Sequence, residues 1–182
     1  VYELTESCAH LIKKDRASIE DMYNDLLNLG KIFGEEERAT RLVQQYKSVL
    51  KKETEYLDIT SPVRVFVYDS GEDAPFTAGL YAMPTALIEA AGGKNIMDDF
   101  EKSWGTVTWE TVIDRDPEVI IIINYGNVSA AQKRDFMMSN PAFANIYAVK
   151  NDKFFTLEYV EATPGPRNIN AIKKLIMAFK EN

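Results

Sequence analysis

Two different spacings of apolar residues divide this chain. Met22, Leu26, Leu29 and Phe33 recur at helical intervals, and Ser18-Ile19-Glu20-Asp21 ahead of them has the hydroxyl-x-x-acid form that caps a helix amino terminus. Gly34 is the expected stop. Over residues 35–57, Ala39, Leu42, Val43, Tyr46, Val49, Leu50, Tyr56 and Leu57 return every three or four positions among Glu, Lys, Arg and Gln. That spacing predicts one long amphipathic helix, about 33 Å at a rise of ~1.5 Å per residue.

Beyond Thr60-Ser61-Pro62 the period changes. Residues 63–68 and the continuous apolar run 119–123 read as strands, the second of the kind buried on both faces. Helices are predicted over 84–91, closing at Gly92-Gly93, and over 108–115, 129–138 and 169–179. The last carries Ile169, Ile172, Leu175, Ile176 and Phe179 on one face. Residues 146–149 and 153–157 are predicted as two further strands. Strands alternating with helices imply an α/β lobe whose central, mostly parallel sheet is flanked by helices. The organisation expected is a short segment (1–34), a long connecting helix (35–58) and an α/β lobe (62–182). Val1-Tyr2-Glu3-Leu4 reads as a strand without a partner, so we expect the chain to be a piece of a larger protein.

Composition narrows the functions open to such a lobe. The 182 residues carry 21 basic and 28 acidic side chains, a net charge of −7, with no Lys/Arg stripe to track phosphates. Nucleic acid is excluded as an expected partner. Cys8 has no second cysteine to pair with, and His10 is the sole histidine, so neither a disulfide within the chain nor a conventional multi-His or Cys/His zinc site is expected. The roles of Cys8 and His10 stay open. The run 119–123 falls far short of the ~20 apolar residues that cross a bilayer.

Catalytic patterns are missing as well. There is no Gly-x-Ser-x-Gly elbow, and the sole histidine falls outside the lobe. The turn after the first lobe strand, Asp69-Ser70-Gly71-Glu72-Asp73, is acidic where a phosphate would sit. The loops after the strands carry aromatic residues instead: Phe76 and Tyr81 after the first, Trp104 before the short helix, Tyr125 after the apolar strand and Tyr159 after the last. Ligands of open α/β sheets bind beyond the carboxyl ends of the strands, so these loops line the default site for a large, flat or partly apolar ligand. The alternative for each is that it caps the core.

Two stretches carry a resemblance to a known family. Thr85-Ala86-Leu87-Ile88-Glu89-Ala90-Ala91-Gly92-Gly93-Lys94-Asn95-Ile96 is similar to a helix ending in Ala-Gly-Gly-x-Asn. Trp104-Gly105-Thr106-Val107-Thr108-Trp109-Glu110, followed by Asp116-Pro117-Glu118-Val119-Ile120, is similar to the tryptophan, Val-Ser-x-Glu and Asn/Asp-Pro-Asp-x-Ile series of the same family. The chain thus resembles the class III solute-binding proteins of ABC importers for ferric siderophores, cobalamin and haem. Leu29-Gly30-Lys31-Ile32-Phe33-Gly34 matches the segment before that family's connecting helix.

The resemblance implies a Rossmann-like carboxyl-terminal lobe, with residues 1–34 the remnant of an amino-terminal lobe. It implies a carrier rather than an enzyme, with no cofactor of its own and an iron chelate such as a ferric siderophore as ligand. Cobalamin or haem carriage is the nearest rival, and a non-transport α/β interaction or sensor domain is a rival of another class. Trp104 corresponds to a cleft aromatic and Glu110 to the carboxylate that docks on the permease; the alternative for Glu110 is helix-dipole stabilisation alone. Tyr159 corresponds to the cleft residue after the last strand, and Tyr81 and Met83 lie in a loop expected to reach the cleft. Arg167 suits an anionic chelate, or else a salt bridge to a neighbour such as Glu161. Partners are then the importer permease and a small metal chelate. The location is extracytoplasmic, with any membrane attachment through a lipid anchor outside these residues.

Overall fold

The computed structural model describes residues 15–55, 57 and 60–180. The expected strand at 1–4, together with Cys8, His10 and Tyr56, lies outside the described residues. Two helices come first, α1 (Ile19–Phe33) and α2 (Glu36–Thr54). Ser18 and Asp21 form the reciprocal cap at the start of α1, and Gly34 ends it in the left-handed conformation at φ 70°. The lobe follows with β1 (Val63–Tyr68), β2 (Phe76–Ala78), α3 (Met83–Ala90), β3 (Gly93–Asn95), β4 (Trp104–Thr106), α4 (Trp109–Arg115) and β5 (Val119–Asn124). It ends with α5 (Ala130–Ser139), α6 (Tyr147–Lys150), β6 (Phe154–Glu158), α7 (Tyr159–Ala162) and α8 (Asn168–Lys180).

Four parallel strands form the central sheet in the order β3-β1-β5-β6. Alternation along β1 and β5 explains how helices cover both faces. Val65, Val67, Val119, Ile121 and Ile123 enter one core with residues of α3 and α8, while Phe66, Tyr68, Ile120 and Ile122 enter the other with residues of α4, α5 and α6. Each such side chain, fully buried, is worth ~1.5–3 kcal/mol relative to exposure. The apolar stripes of α1 and α2 join the first core through Met22, Tyr23 and Val43. Lys173 of α8 reaches Glu53 of α2 at 3.1 Å, and Lys47 of α2 reaches Glu20 of α1 at 2.8 Å.

The sequence expectation of a strand over 146–149 is corrected: these residues form α6 and the turn entering it. Both edges of β5 are already taken, by β1 and β6, so no ladder position remains beside it. The Tyr147 N–H is instead received by the Asp116 carboxylate at 2.7 Å, and Ala148 N–H by the Pro117 carbonyl at 3.0 Å. A four-residue apolar run satisfies either period, so its pattern did not decide the matter.

Strands β2 and β4 pair antiparallel as a separate two-stranded sheet beyond the end of β1. A buried polar network attaches it to the lobe. Thr77 Oγ1 donates to Val67 O at 2.6 Å, and Asn95 Nδ2 donates to Ala78 O at 2.9 Å and to Thr85 Oγ1 at 2.8 Å. Thr85 Oγ1 in turn donates to Gly79 O at 2.6 Å, and Asn95 Oδ1 accepts Met97 N–H at 3.0 Å. The Gly92-Gly93 stop has its own physical basis. Gly92 sits at φ 86°, and a Cβ on Gly93 would meet the Phe179 ring of α8 at 2.7 Å.

Candidate functional site

The carboxyl ends of β1, β5 and β6 share one edge of the sheet, and two aromatic pairs stand there. Tyr125 directly follows β5 and Tyr159 directly follows β6; their rings stack at 4.6 Å between centroids and 26° between planes. This pairing follows from register, because Asn124 lies opposite Glu158 in the ladder. The same neighbours bond through their side chains, Asn124 Nδ2 donating to the Glu158 carboxylate at 3.0 and 3.1 Å. Glu158 and Glu161 cap α7 reciprocally, and Glu161 is held by Lys174 at 2.5 Å, so Tyr159 sits on an anchored turn.

Phe76 and Trp104 form the second pair, with ring centroids 6.1 Å apart and planes within 13° of parallel. They occupy diagonal positions on β2 and β4. Phe76 is brought to the end of β1 by the Ser70 bridge and by its carbonyl, which accepts Asp69 N–H at 3.1 Å. The acidic turn between them is fixed where Trp109 Nε1 donates to Glu72 O at 2.6 Å. Both pairs are accessible: Phe76 is 36% exposed, Tyr125 55% and Tyr159 47%, with Trp104 half-buried. Aromatic side chains left in such numbers at a strand-end edge are a ready contact surface for an apolar or planar ligand.

The remaining expected residues are divided. Tyr81 is half-buried beside β4, its N–H donating to Lys102 O at 3.1 Å and its carbonyl accepting Ser103 Oγ at 3.2 Å, and its ring joins neither stack. Met83 is corrected: at 1% exposure on the first turn of α3 it belongs to the core and is not in a cleft-facing loop. Arg167 is exposed just ahead of α8 and makes no ion pair among the described residues, since Lys174 takes Glu161. Its turn is ordered by Asn168, whose Nδ2 donates to Glu161 O at 3.0 Å and Thr163 O at 2.8 Å.

Glu110 is exposed on the first turn of α4. Beside it Trp109 is buried among Phe66, Tyr68, Phe136 and Phe143, so this tryptophan anchors α4 and belongs to the core. An open depression of about 310 Å³ lies next to this helix, lined in part by Phe100, Val107 and Thr111. One side is closed by Arg115, which donates to Asp99 at 2.6 and 2.9 Å. Those hydrogen bonds hold the Asp99 carboxyl below the usual carboxylate range. Among the described residues no group of His, Cys, Asp and Glu is placed to hold a metal ion.

Sequence reasoning passed over the Asn95 network and a buried lysine, Lys133. The signal for the second was present: Ala130, Lys133 and Met137 share a helical face, and a lysine on a face with Met137 is a buried cation in waiting.

Comparison with known proteins places the fold in a family. A family profile described as periplasmic binding protein matches residues 2–160. A periplasmic binding protein from Veillonella parvula superimposes with a TM-score of 0.84 at 33% identity, over 91% of this chain and 58% of that one. An ABC-type Fe3+-hydroxamate transport system structure from Saccharomonospora viridis gives 0.80 at 20% identity, over 90% and 57%, a likeness of fold alone. A vitamin B12-binding protein from Yersinia pestis is 25% identical over 108 residues, 59% of this chain and 38% of its own length. The chain therefore spans little more than half of these structures and well under half of that curated relative.

Proposed function

The chain belongs to the periplasmic binding protein family, and from that premise we propose that its α/β lobe supplies one wall of the cleft in which a carrier for an ABC importer captures an iron chelate of the ferric siderophore class. The family consists of binding proteins rather than enzymes and is extracytoplasmic. Among the described residues, no helix is long and apolar enough to cross a membrane. The observation that supports the reading most is the pair of aromatic stacks, Phe76–Trp104 and Tyr125–Tyr159, exposed at the carboxyl edge of the sheet. Arg167, with no carboxylate partner among the described residues, adds a cationic group for an anionic chelate oxygen. In this reading α1 and the residues before it derive from a first lobe and α2 connects the lobes. Cobalamin is the second reading, favoured by the 25% identity to a vitamin B12-binding protein.

Titration with a ferric trihydroxamate, haem and cobalamin, followed by tryptophan fluorescence, tests the ligand. Saturable quenching by one ferric chelate is expected, smaller in Trp104→Phe, which leaves Trp109, buried in the core, as the remaining emitter. Silence with all three overturns the proposal.

Glu110 is this lobe's contact with the permease in the same proposal. Glu110→Ala in the transporting protein is expected to cut uptake by about tenfold or more, the loss that follows removal of one partner from a charge pair, while chelate affinity stays constant. A helix-dipole role alone predicts normal uptake and a stability loss of ~0.3–1 kcal/mol.

A further inference from the structure

Lys133 is a buried charge that the proposed cleft does not yet use. It lies on α5 at 2% exposure. Its Nζ donates to the carbonyl of Ile123 at 2.7 Å and to that of Tyr125 at 3.1 Å. Burying an ammonium is costly, and a methionine of similar length would fill the same space without that cost. Burial holds the Lys133 ammonium below the ordinary lysine range, with Asp69 pulling the other way, and its hydrogen-bond acceptors among the described residues are backbone carbonyls rather than a carboxylate. The hydrogen bonds to the ammonium are those to the two carbonyls, with Asp69 adding attraction through space.

Those carbonyls flank Asn124, the last residue of β5. Beyond Tyr125 the chain turns through 126–128, all exposed, and Gly126 sits at φ 81° with open space around it. Packing thus does little to place this turn, and the lysine ties its first residue to the helix that follows.

We infer that Lys133 is a positioning residue for the ligand edge: by clamping the carbonyls of Ile123 and Tyr125 it holds the Tyr125 ring in its stack on Tyr159. The functional consequence rests on the proposed carrier reading, whereas the clamp is a property of the ligand-free chain.

NMR of the Tyr159 ring protons reads the stack directly, because the neighbouring Tyr125 ring displaces their shifts; Tyr125→Leu provides the reference for its loss. In Lys133→Met the Tyr159 shifts are expected to move most of the way to that reference, while the Trp109 indole resonance stays in place. Lys133→Arg, which keeps cationic donors, is expected to restore part of the displacement. Binding of a ferric trihydroxamate should weaken by the same factor in Lys133→Met and Tyr125→Leu, about tenfold for one aromatic contact. Tyr159 shifts unchanged in folded Lys133→Met overturn the inference. Shifts that move while trihydroxamate affinity stays constant support the clamp and contradict the carrier reading. If Lys133→Met does not fold, Lys133→Gln takes its place: displaced Tyr159 shifts support the clamp, and unchanged shifts overturn it.

Discussion

Replacing Asn95 by Leu is expected to cost the lobe about 3–5 kcal/mol, because Ala78 O and Met97 N–H would be left buried without partners at roughly 1–3 kcal/mol each, together with lost packing around Thr85. For a chain of this size that is a fall in Tm of about 10 °C, or a matching drop in the urea midpoint with the slope unchanged. The effect is large because Asn95 is fully buried and joins three elements: its own strand β3, β2 through Ala78, and α3 through Thr85. Asn95→Asp should be no milder, since it forfeits the donors and buries a charge. A loss under about 1 kcal/mol, the net worth of an ordinary hydrogen bond, would show that the network is dispensable. Since β2 carries Phe76 and pairs with β4, which carries Trp104, Asn95→Leu should also weaken ligand binding from a distance.

The second large effect is on the ligand itself. Trp104→Ala is expected to weaken chelate binding by about 30-fold, the ~2 kcal/mol characteristic of an aromatic anchor in a recognition surface. It removes the larger ring of the Phe76 stack, and because the half-buried Trp104 also packs against the first core, a melting curve of the variant accompanies the titration. Trp104→Phe should recover most of the affinity. Calorimetric titration separates the two outcomes, and an alanine variant within about twofold of the starting affinity would remove Trp104 from the cleft.

Much of the fold was legible because its signals are long. The five-residue run 119–123 and the alternation in 63–68 could hardly be anything but central strands, and the Ser18 cap and Gly34 stop bracketed α1. Strands β2, β3 and β4 are three residues each, too short for a period to show. The run at 146–149 failed for the opposite reason: its apolar pattern was real, yet the sheet had no free edge beside β5.

At the site, the aromatic loops were legible as a group because strand-end loops are where ligands gather. Which aromatic meets which was not legible. Phe76 meets Trp104 through an antiparallel pairing that no local pattern announces, and Tyr125 meets Tyr159 through the β5–β6 register. Asn95 was visible as part of a family-like ending, but its reason, a polar lock under β2, exists only in three dimensions. Met83 read as a loop residue because its helix begins one position before Pro84.

Whether the chelate sits at the carboxyl ends of the strands is read from paramagnetic broadening of backbone amide signals by a ferric trihydroxamate, with the diamagnetic gallium chelate as control. Selective broadening is expected at the carboxyl ends of β1, β5 and β6 and around Phe76 and Trp104, with the amino ends at Val63, Val119 and Phe154 spared. Broadening centred elsewhere, or none at chelate concentrations that saturate the tryptophan signal, would contradict that placement.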